Sequence, residues 1–164
     1  MANIVNVPSI KEEKIDLARM CIEHRATWMA LTYEEMEKAG MDAEKITRAA
    51  VKRCGNIHGL GIKARCSDPS DVTVFNEVFL FEDGKKNFEI NVTDVDKKHL
   101  NAEFHYCALV AAWQKLGLSK EKIELFCDIA MDGDRGIAES MGLKFELGDT
   151  ISHGCATCKL EFRK

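Results

Sequence analysis

The apolar residues of this chain change their spacing part of the way along it. From Ser9 to about Gly40, and again from Asp42 to Arg65, they recur every three or four residues, which is the spacing of amphipathic helices. After Phe88, several short runs alternate between apolar and polar residues, which is typical of strands with one buried face. This order predicts helices first and a small sheet afterwards, within one domain of 164 residues.

The ends of the first helical segments are marked by capping patterns. Ser9 followed by Glu12 predicts a capping box, and Thr32 followed by Glu35 suggests a second helix start after a break near Leu31. The latter half of the second segment is weakened by three glycines, Gly55, Gly59 and Gly61.

Four alternating runs predict the strands, and they begin near Phe88, Leu100, Leu143 and Cys158. The first two runs are predicted to form an antiparallel hairpin that turns at residues 96–98. Residues 83–86 are predicted to form a turn, and the periodicity of residues 72–80 leaves helix and strand both open. Two further helices are predicted, over residues 107–117 and over residues 119–131.

These elements predict the α+β class, with N-terminal helices packed on one face of a small, mostly antiparallel sheet. Residues 1–164 are expected to form a single domain, with a helical part over about 9–66 and a sheet and cysteine-bearing part over about 71–164. The apolar segment from Ala108 to Trp113 offers a surface for a partner, so a homo-oligomer stays open.

Composition narrows the expected partners and location. The net charge is −4 and no basic stripe stands out, so we expect no nucleic-acid partner. No run approaches the ~18 apolar residues that a membrane helix needs, and the N-terminus lacks a signal-peptide pattern. We therefore expect a cytoplasmic protein with no membrane partner. In that reducing compartment an odd count of seven cysteines indicates free thiols.

The chemically active residue types gather in the last 60 residues. That segment holds four of the cysteines together with imidazoles and carboxylates: Cys107, Cys127, Cys155 and Cys158. Such a combination points to a thiol-based catalytic site or to a metal site. The sequence contains no phosphate loop, G-x-G-x-x-G, G-x-S-x-G or H-E-x-x-H motif, which argues against ATP, NAD and serine-hydrolase chemistry.

Cys107 is predicted to lie at the N-terminus of a helix that follows a strand. Free backbone amides and the helix dipole stabilise a thiolate at such a position, which would make Cys107 a nucleophile. His105 would point to the same face as Cys107 if the strand continued through it. The alternative is a buried structural cysteine that begins an apolar helix.

Cys127 is followed by several charged residues. Asp132 lies four residues after Asp128, so the two carboxylates share a helical face, and Asp134 and Arg135 follow at an expected glycine-broken helix end. Acids beside a thiol can act as a general base and an orienting group, or can ligate a metal. A solvated helix terminus with an Asp–Arg contact is the alternative interpretation.

His153 precedes a C-x2-C pair formed by Cys155 and Cys158. One such pair is half of a tetrahedral zinc site, and the other half would have to come from Cys107, Cys127 or a histidine. The alternative is a tight turn at Gly154 that delivers Cys158 onto a strand.

Several stretches together resemble the L-2-amino-thiazoline-4-carboxylic acid hydrolase family. The resemblance covers roughly residues 88–163 and is carried by residues 88–93, 107–117, 125–134 and 150–154, with Cys158. It implies hydrolytic opening of a small cyclic amidine-like or thiazoline carboxylate ring. The position after Gly154 holds Cys155, where members of the family often carry an acid, so the substrate itself is left open.

Two mechanisms fit the activity that the resemblance implies. In the first, Cys107 forms a covalent adduct, Cys127 is also catalytic, and Asp134 or His153 handles protons. In the second, a metal ion held by tail cysteines, histidine and aspartate activates water. The first is favoured, so no cofactor is expected.

A carboxylate substrate needs a cation, for which Arg163 or Arg135 is available, and His105 and Asp132 are the other expected substrate contacts. The competing function is a non-enzymatic small-ligand or metal sensor with clustered thiols. A redox thiol protein fits less well, because its C-x2-C would open a helix whereas Cys155 and Cys158 enter a predicted strand.

Overall fold

The computed structural model describes residues 3–164. The first two residues of the N-terminal stretch that lacks a signal-peptide pattern, Met1 and Ala2, lie outside the described residues. The described chain contains six α-helices, which are α1 (Glu13–Lys38), α2 (Ala43–Arg65), α3 (Val72–Phe79), α4 (Glu82–Phe88), α5 (Ala108–Lys115) and α6 (Lys120–Met141). It also contains four strands, which are β1 (Ile90–Val95), β2 (His99–Phe104), β3 (Lys144–Leu147) and β4 (Cys158–Arg163). A 3₁₀ turn at Ile151–His153 precedes β4.

The four strands form one antiparallel sheet in the order β1-β2-β4-β3. Alternate residues of its two central strands, such as Leu100 and Leu160, are buried against the helices, whereas Glu103 and Lys159 lie on the opposite, polar face. This one-sided burial explains the alternating sequence pattern. The α+β prediction, with an antiparallel sheet, is confirmed.

The first helix is longer and simpler than the capping patterns suggested. α1 runs through Thr32 without a break, so the predicted second helix start is wrong. Ser9 does not cap α1, because its amide and hydroxyl both donate to the Glu89 carboxylate at 2.7 Å. A long-range partner therefore replaced the local one. The helix prediction for residues 42–65 is confirmed, with Asp42 capping Lys45.

Two further helices differ from the sequence prediction. Residues 83–86 lie inside α4 instead of a turn, and residues 72–80, which periodicity left open, are helical over Val72–Phe79. α6 continues through Gly133 and ends only at Gly142, whose φ of 75° closes the helix. The expected helix end near residues 131–134 is therefore wrong.

The glycines of α6 serve its packing against α2. A Cβ on Gly136 would overlap the backbone of Lys52 and Asn56, and a Cβ on Gly59 would meet Ile137. The two helices approach so closely that only hydrogen fits at these positions. Two of the three glycines that looked like weaknesses in the α2 sequence, Gly55 and Gly59, are thus contact points, and this pair of helices fixes where the α6 side chains lie.

The apolar segment of α5 is part of the core. Ala108 and Val110–Trp113 are buried, and the Trp113 indole N–H donates to the Ala26 carbonyl at 3.1 Å. This face is therefore covered by α1 and is not the surface for a partner that the sequence suggested. Among the described residues, no helix is both long and apolar enough to cross a membrane.

Candidate functional site

Three cysteines from distant parts of the chain meet in the larger of the apolar core clusters. Cys107 is the N-cap of α5, Cys127 lies in the middle of α6, and Cys158 is the first residue of β4. Cys127 and Cys158 lie close enough to raise the pKa of the Cys107 thiol. Cys107 is the one of the three that is half-buried, whereas the other two are buried.

Burial holds these thiols in their neutral form. It raises the pKa of Cys107 and of Cys127, and it raises the pKa of Cys158 to about 12. The amides of Leu109 and Val110 at the start of α5 lower the pKa of Cys107, as expected at a helix N-terminus, but desolvation outweighs them. A nucleophile in this cluster must therefore lose its proton to a base nearby.

Asp134 is the acid placed to act as such a base. It lies seven residues after Cys127 on the same side of α6, and its charge raises the pKa of that thiol. Burial raises the pKa of Asp134 itself to about 6, although Arg25 and Arg135 favour its ionised form. Within residues 3–164 its carboxylate accepts no side-chain hydrogen bond and makes no ion pair. An unpartnered acid with a pKa near neutrality is suited to proton transfer.

A second connection runs from Cys127 to the surface through two hydroxyl groups. The Ser152 hydroxyl lies near Cys127 and lowers the pKa of its thiol, although burial raises that pKa by more. The Ser152 hydroxyl lies 2.9 Å from that of Thr150, which in turn lies 2.6 Å from His153 Nδ1. Each hydroxyl can accept one hydrogen bond and donate the next, so the chain can lead from a buried thiol to an exposed imidazole.

The hydroxyl chain owes its geometry to the 3₁₀ turn. Thr150 caps this turn by accepting the His153 amide, and the Ile151 amide donates to Cys158 Sγ at 3.3 Å. Gly154 then adopts φ 90°, which reverses the chain toward β4. The turn therefore fixes Ser152 and Cys158 relative to each other. Ser152 and Thr150 escaped the sequence reasoning because hydroxyl residues are too common to signal a site.

The N-terminal segment is attached to the backbone of Cys107. The Asn6 amide donates to the Cys107 carbonyl at 2.8 Å and accepts the Cys107 amide at 2.9 Å. Gln114 donates to the Ile4 carbonyl at 3.1 Å, which ties the same segment to α5. A cleft of about 590 Å³ borders this attachment and is lined partly by Asn6, Tyr106 and Gln114. Because Tyr106 lines this cleft, one edge of it lies next to Cys107 in the chain.

Asp132 is held in a structural network of charges. Its carboxylate pairs with Arg48 at 3.1 Å and with Arg135 at 2.7 Å, and Asp128 pairs with both arginines at 2.7 Å. These ion pairs join α6 to α2. Because each of the four charged groups already has opposite charges beside it, Asp132 and Arg135 are less available to a substrate than the sequence suggested.

His105 and Arg163 lie away from the thiols. β2 ends at Phe104, so the alternation that would have aligned His105 with Cys107 does not continue, and the exposed imidazole lies beside Glu103. Arg163 is at the end of β4 opposite Cys158, roughly 17 Å along the strand, and pairs with Glu146. The condition for a common face of His105 and Cys107 is therefore not met, and Arg163 lies far from the cluster.

The tail cysteines differ in how they meet the cluster. Cys155 lies half-buried in the loop before β4, near enough to raise the pKa of Cys158, and the C-x2-C pair does enter a strand. In the part of the chain that the structure covers, no three Cys, His, Asp or Glu side chains are arranged to hold a metal ion. Cys107, Cys127, Cys155 and Cys158 as metal ligands remain a prediction.

One family and one solved structure resemble the chain. The sequence model of the family described as L-2-amino-thiazoline-4-carboxylic acid hydrolase matches residues 19–162. No curated protein matches the chain in sequence. The crystal structure of a trafficking protein particle complex subunit 3 from Naegleria fowleri, covalently bound to palmitic acid, is similar with a TM-score of 0.51 and 14% identity. The match covers 85% of this chain and 94% of that one, and at this identity it shows the fold alone.

Proposed function

The chain belongs to the L-2-amino-thiazoline-4-carboxylic acid hydrolase family, and on that premise we propose that it hydrolyses a small cyclic amidine-like or thiazoline carboxylate ring at a cysteine-centred site. The observation that carries the cysteine-centred part is the meeting of Cys107, Cys127 and Cys158, with Asp134, an acid that has no side-chain partner among the described residues, close to Cys127. A structural core has no need of an ionisable acid with a raised pKa next to its thiols.

Cys107 is the proposed nucleophile because it begins α5, where the amides of Leu109 and Val110 favour its thiolate, and because the residue as a whole is only half-buried. Its sulfur adds to the ring carbon that is bonded to nitrogen and sulfur, and the electron pair of the C=N bond moves to the ring nitrogen, which takes a proton. The ring carbon–nitrogen bond then breaks and leaves the carbon attached to Cys107. Water adds to that carbon and the Cys107 thiol departs, so the net reaction consumes one water.

Cys127 is proposed to carry the proton that Cys107 loses. It is coupled to Cys107 on one side, and to Ser152 and Asp134 on the other. The proton can pass to Asp134 or, through the two hydroxyls, to His153, and it returns to the leaving nitrogen. This gives both acid–base residues a physical path to the nucleophile, although both are far from it in the sequence.

Arg25 is the proposed partner of the substrate carboxylate. It is exposed on α1 and its charge reaches Asp134, whereas Arg163 lies at the far end of β4. Among residues 3–164, Arg25 makes no ion pair. A guanidinium that is near the acid and still free can bind a carboxylate in two-pronged geometry.

The test is turnover of L-2-amino-thiazoline-4-carboxylate and of related cyclic amidines, followed by mass spectrometry of the products. We expect the wild-type chain to form a product heavier than the substrate by one water. Cys107→Ser and Cys127→Ser should lose activity while keeping the fold, and the exposed Cys21→Ser serves as the matched control. Wild-type rates in both site variants would remove the thiol mechanism.

The competing function is separated in the same samples by elemental analysis. A stoichiometric metal that is lost in Cys127→Ser and Cys158→Ser, combined with no turnover of any ring substrate, would replace the hydrolase by a metal-sensing domain. Turnover without a stoichiometric metal would support the thiol mechanism.

A further inference from the structure

The first two helices carry an apolar face that the chain itself leaves uncovered. One side of α1 carries a row of exposed residues that begins and ends with an acid and is mostly apolar between them: Glu13, Leu17, Met20, Cys21, His24, Trp28, Leu31 and Glu35. We call this the α1 face. The opposite side of α1, with Ala26 and Ala30, packs against α5 and the core.

α2 has a similar exposed row. Its members follow steps of four and three residues along the helix: Ile46, Ala50, Arg53, Ile57, Leu60 and Ala64. We call this the α2 face. The opposite side of α2 holds Gly55 and Gly59 against α6. Both helices therefore bury one side within the chain and present an apolar row on the other.

The exposure of these side chains is far above that of a core residue. Leu17, Met20, Trp28, Ile57 and Leu60 are between 60% and 68% exposed. Single exposed apolar residues are common, but rows of them along helices of 26 and 23 residues, roughly 39 and 35 Å long, mark an interaction surface.

The net charges of the two helices differ, and this difference favours a second copy of the chain as the occupant. α2 carries six Lys or Arg and one acid, whereas α1 carries six acids and four Lys or Arg. Arg53 stands in the middle of the α2 face without an ion pair among the described residues, and Glu13 and Glu35 mark the ends of the α1 face. We propose that the protein forms a two-fold symmetric dimer in which the α1 face of each copy packs on the α2 face of the other.

This arrangement uses both faces at once and closes on itself. A two-fold axis makes each α1–α2 contact occur twice, so no uncovered apolar row remains to build longer assemblies. Pairing α1 with α1 or α2 with α2 would instead place like charges along the same seam. The cleft beside Cys107 shares only Met20 with the α1 face and no residue with the α2 face. The proposed dimer therefore leaves most of this cleft uncovered.

The experiment measures mass in solution by light scattering after size exclusion, across protein concentration. We expect twice the chain mass of 18.4 kDa. Trp28→Glu and Leu60→Glu should each shift the protein toward monomer, whereas Phe81→Glu, which changes an apolar residue 57% exposed outside both faces, should not. A monomer at all concentrations, or a dimer that both face variants leave intact, would overturn the proposal.

Charge exchange tests which faces meet. One chain carries Ala50→Glu with Arg53→Glu, which makes its α2 face acidic, and a second carries Glu13→Lys with Glu35→Lys, which makes its α1 face basic. We expect each chain alone to dimerise at least tenfold more weakly, and the mixture to form a heterodimer, because both of its contacts then join opposite charges. Unchanged self-association of either chain would contradict the α1–α2 pairing.

A basic and apolar helix face also resembles a surface that binds anionic membranes. Sedimentation with vesicles that contain anionic lipid distinguishes a dimer interface from a membrane-binding surface. Vesicle binding by a monomer, reduced by Arg53→Glu, would assign the α2 face to a membrane and overturn the dimer. Self-association without vesicle binding supports it.

Discussion

Gly55 of α2 lies directly against Gly133 of α6, so closely that a Cβ added to Gly55 would overlap the Gly133 carbonyl group. The backbone of one helix fills the space that a side chain of the other would need. This contact sets the distance between α2 and α6, and α6 carries both Cys127 and Asp134.

Gly55→Ala is therefore expected to destabilise the protein, by roughly 1–3 kcal/mol or more, because a methyl group forces the helices apart. Gly61→Ala is the matched control in the same helix, where a Cβ meets nothing within 4 Å, and it should be neutral or stabilising by roughly 1 kcal/mol. Urea unfolding of both variants gives the comparison. Equal stabilities would show that the two helices can separate without cost.

Asp134→Asn is expected to change how stability depends on pH. Because burial raises the pKa of this carboxyl from 3.8 to about 6, the folded chain binds its proton more tightly than the unfolded chain does. Stability of the wild type should thus increase as pH falls from above 6 toward 4, by up to about 3 kcal/mol from this group. The Asn variant lacks this contribution, so it should be the more stable protein at about pH 7.5 and lose that advantage near pH 4.

Unfolding free energies of the two proteins at both pH values provide the check. Identical pH dependence in Asp134→Asn and wild type would mean that this carboxyl is not desolvated. The variant should also lose turnover, since an amide cannot accept the proton from the site.

Ser152→Ala and Thr150→Val interrupt the hydroxyl chain at successive positions. Ser152→Ala removes a bond that lowers the pKa of the Cys127 thiol, so alkylation of Cys127 should become slower at a given pH. Cys127 is also influenced by Asp128, Asp134 and Arg135, which both variants retain.

Turnover should fall about 10²-fold or more in each of these variants if the chain carries the proton. Thr157→Val, in the same loop but outside the hydrogen-bond chain, is the control. The rate of Cys127 alkylation is measured across pH by mass spectrometry that resolves each cysteine. A fall in turnover with an unaltered Cys127 pH profile would make these hydroxyls purely structural.

Asn6→Ala is expected to free the N-terminal segment from α5. The variant loses both hydrogen bonds to the Cys107 backbone, which together contribute roughly 1–3 kcal/mol. Cys107 should then react faster with a small alkylating reagent, because the segment no longer covers the start of α5. Asn3→Ala, an exposed change in the same segment, should react like the wild type. No difference between the two variants would show that the segment does not limit access.

Arg25→Gln is expected to raise KM for a carboxylate substrate by about tenfold with a smaller effect on kcat, since one charge-assisted contact is worth roughly 1.5–3 kcal/mol. Arg163→Gln, at the distant end of β4, is the matched control and should leave KM unchanged. A raised KM in Arg163→Gln and an unchanged KM in Arg25→Gln would instead indicate that Arg163 binds the substrate carboxylate, as the sequence analysis suggested. Steady-state kinetics of the two variants decide between them.

The sequence alone determined most of the helices and strands and the residue types that matter. Alternation located β3 and β4, and Asp42 marked the start of α2, because these signals depend on neighbours in the chain. It also singled out the tail cysteines, Asp134 and His153 and supported the family assignment. Predictions from neighbouring residues failed where a distant group took part. The Ser9 hydroxyl donates to Glu89 instead of capping a helix, and α6 continues through Gly133, where it packs against α2.

Only the tertiary structure decided which of those residues lie close together. It brought Cys107, Cys127 and Cys158 together, added Ser152 and Thr150, and placed His105 and Arg163 elsewhere. The sequence predicted a thiolate at Cys107, whereas burial in the folded chain favours the neutral thiol. A helix N-terminus favours a thiolate only where water or a nearby positive charge also stabilises it. Burial depends on what the rest of the chain packs over a residue, and no spacing along the sequence records that.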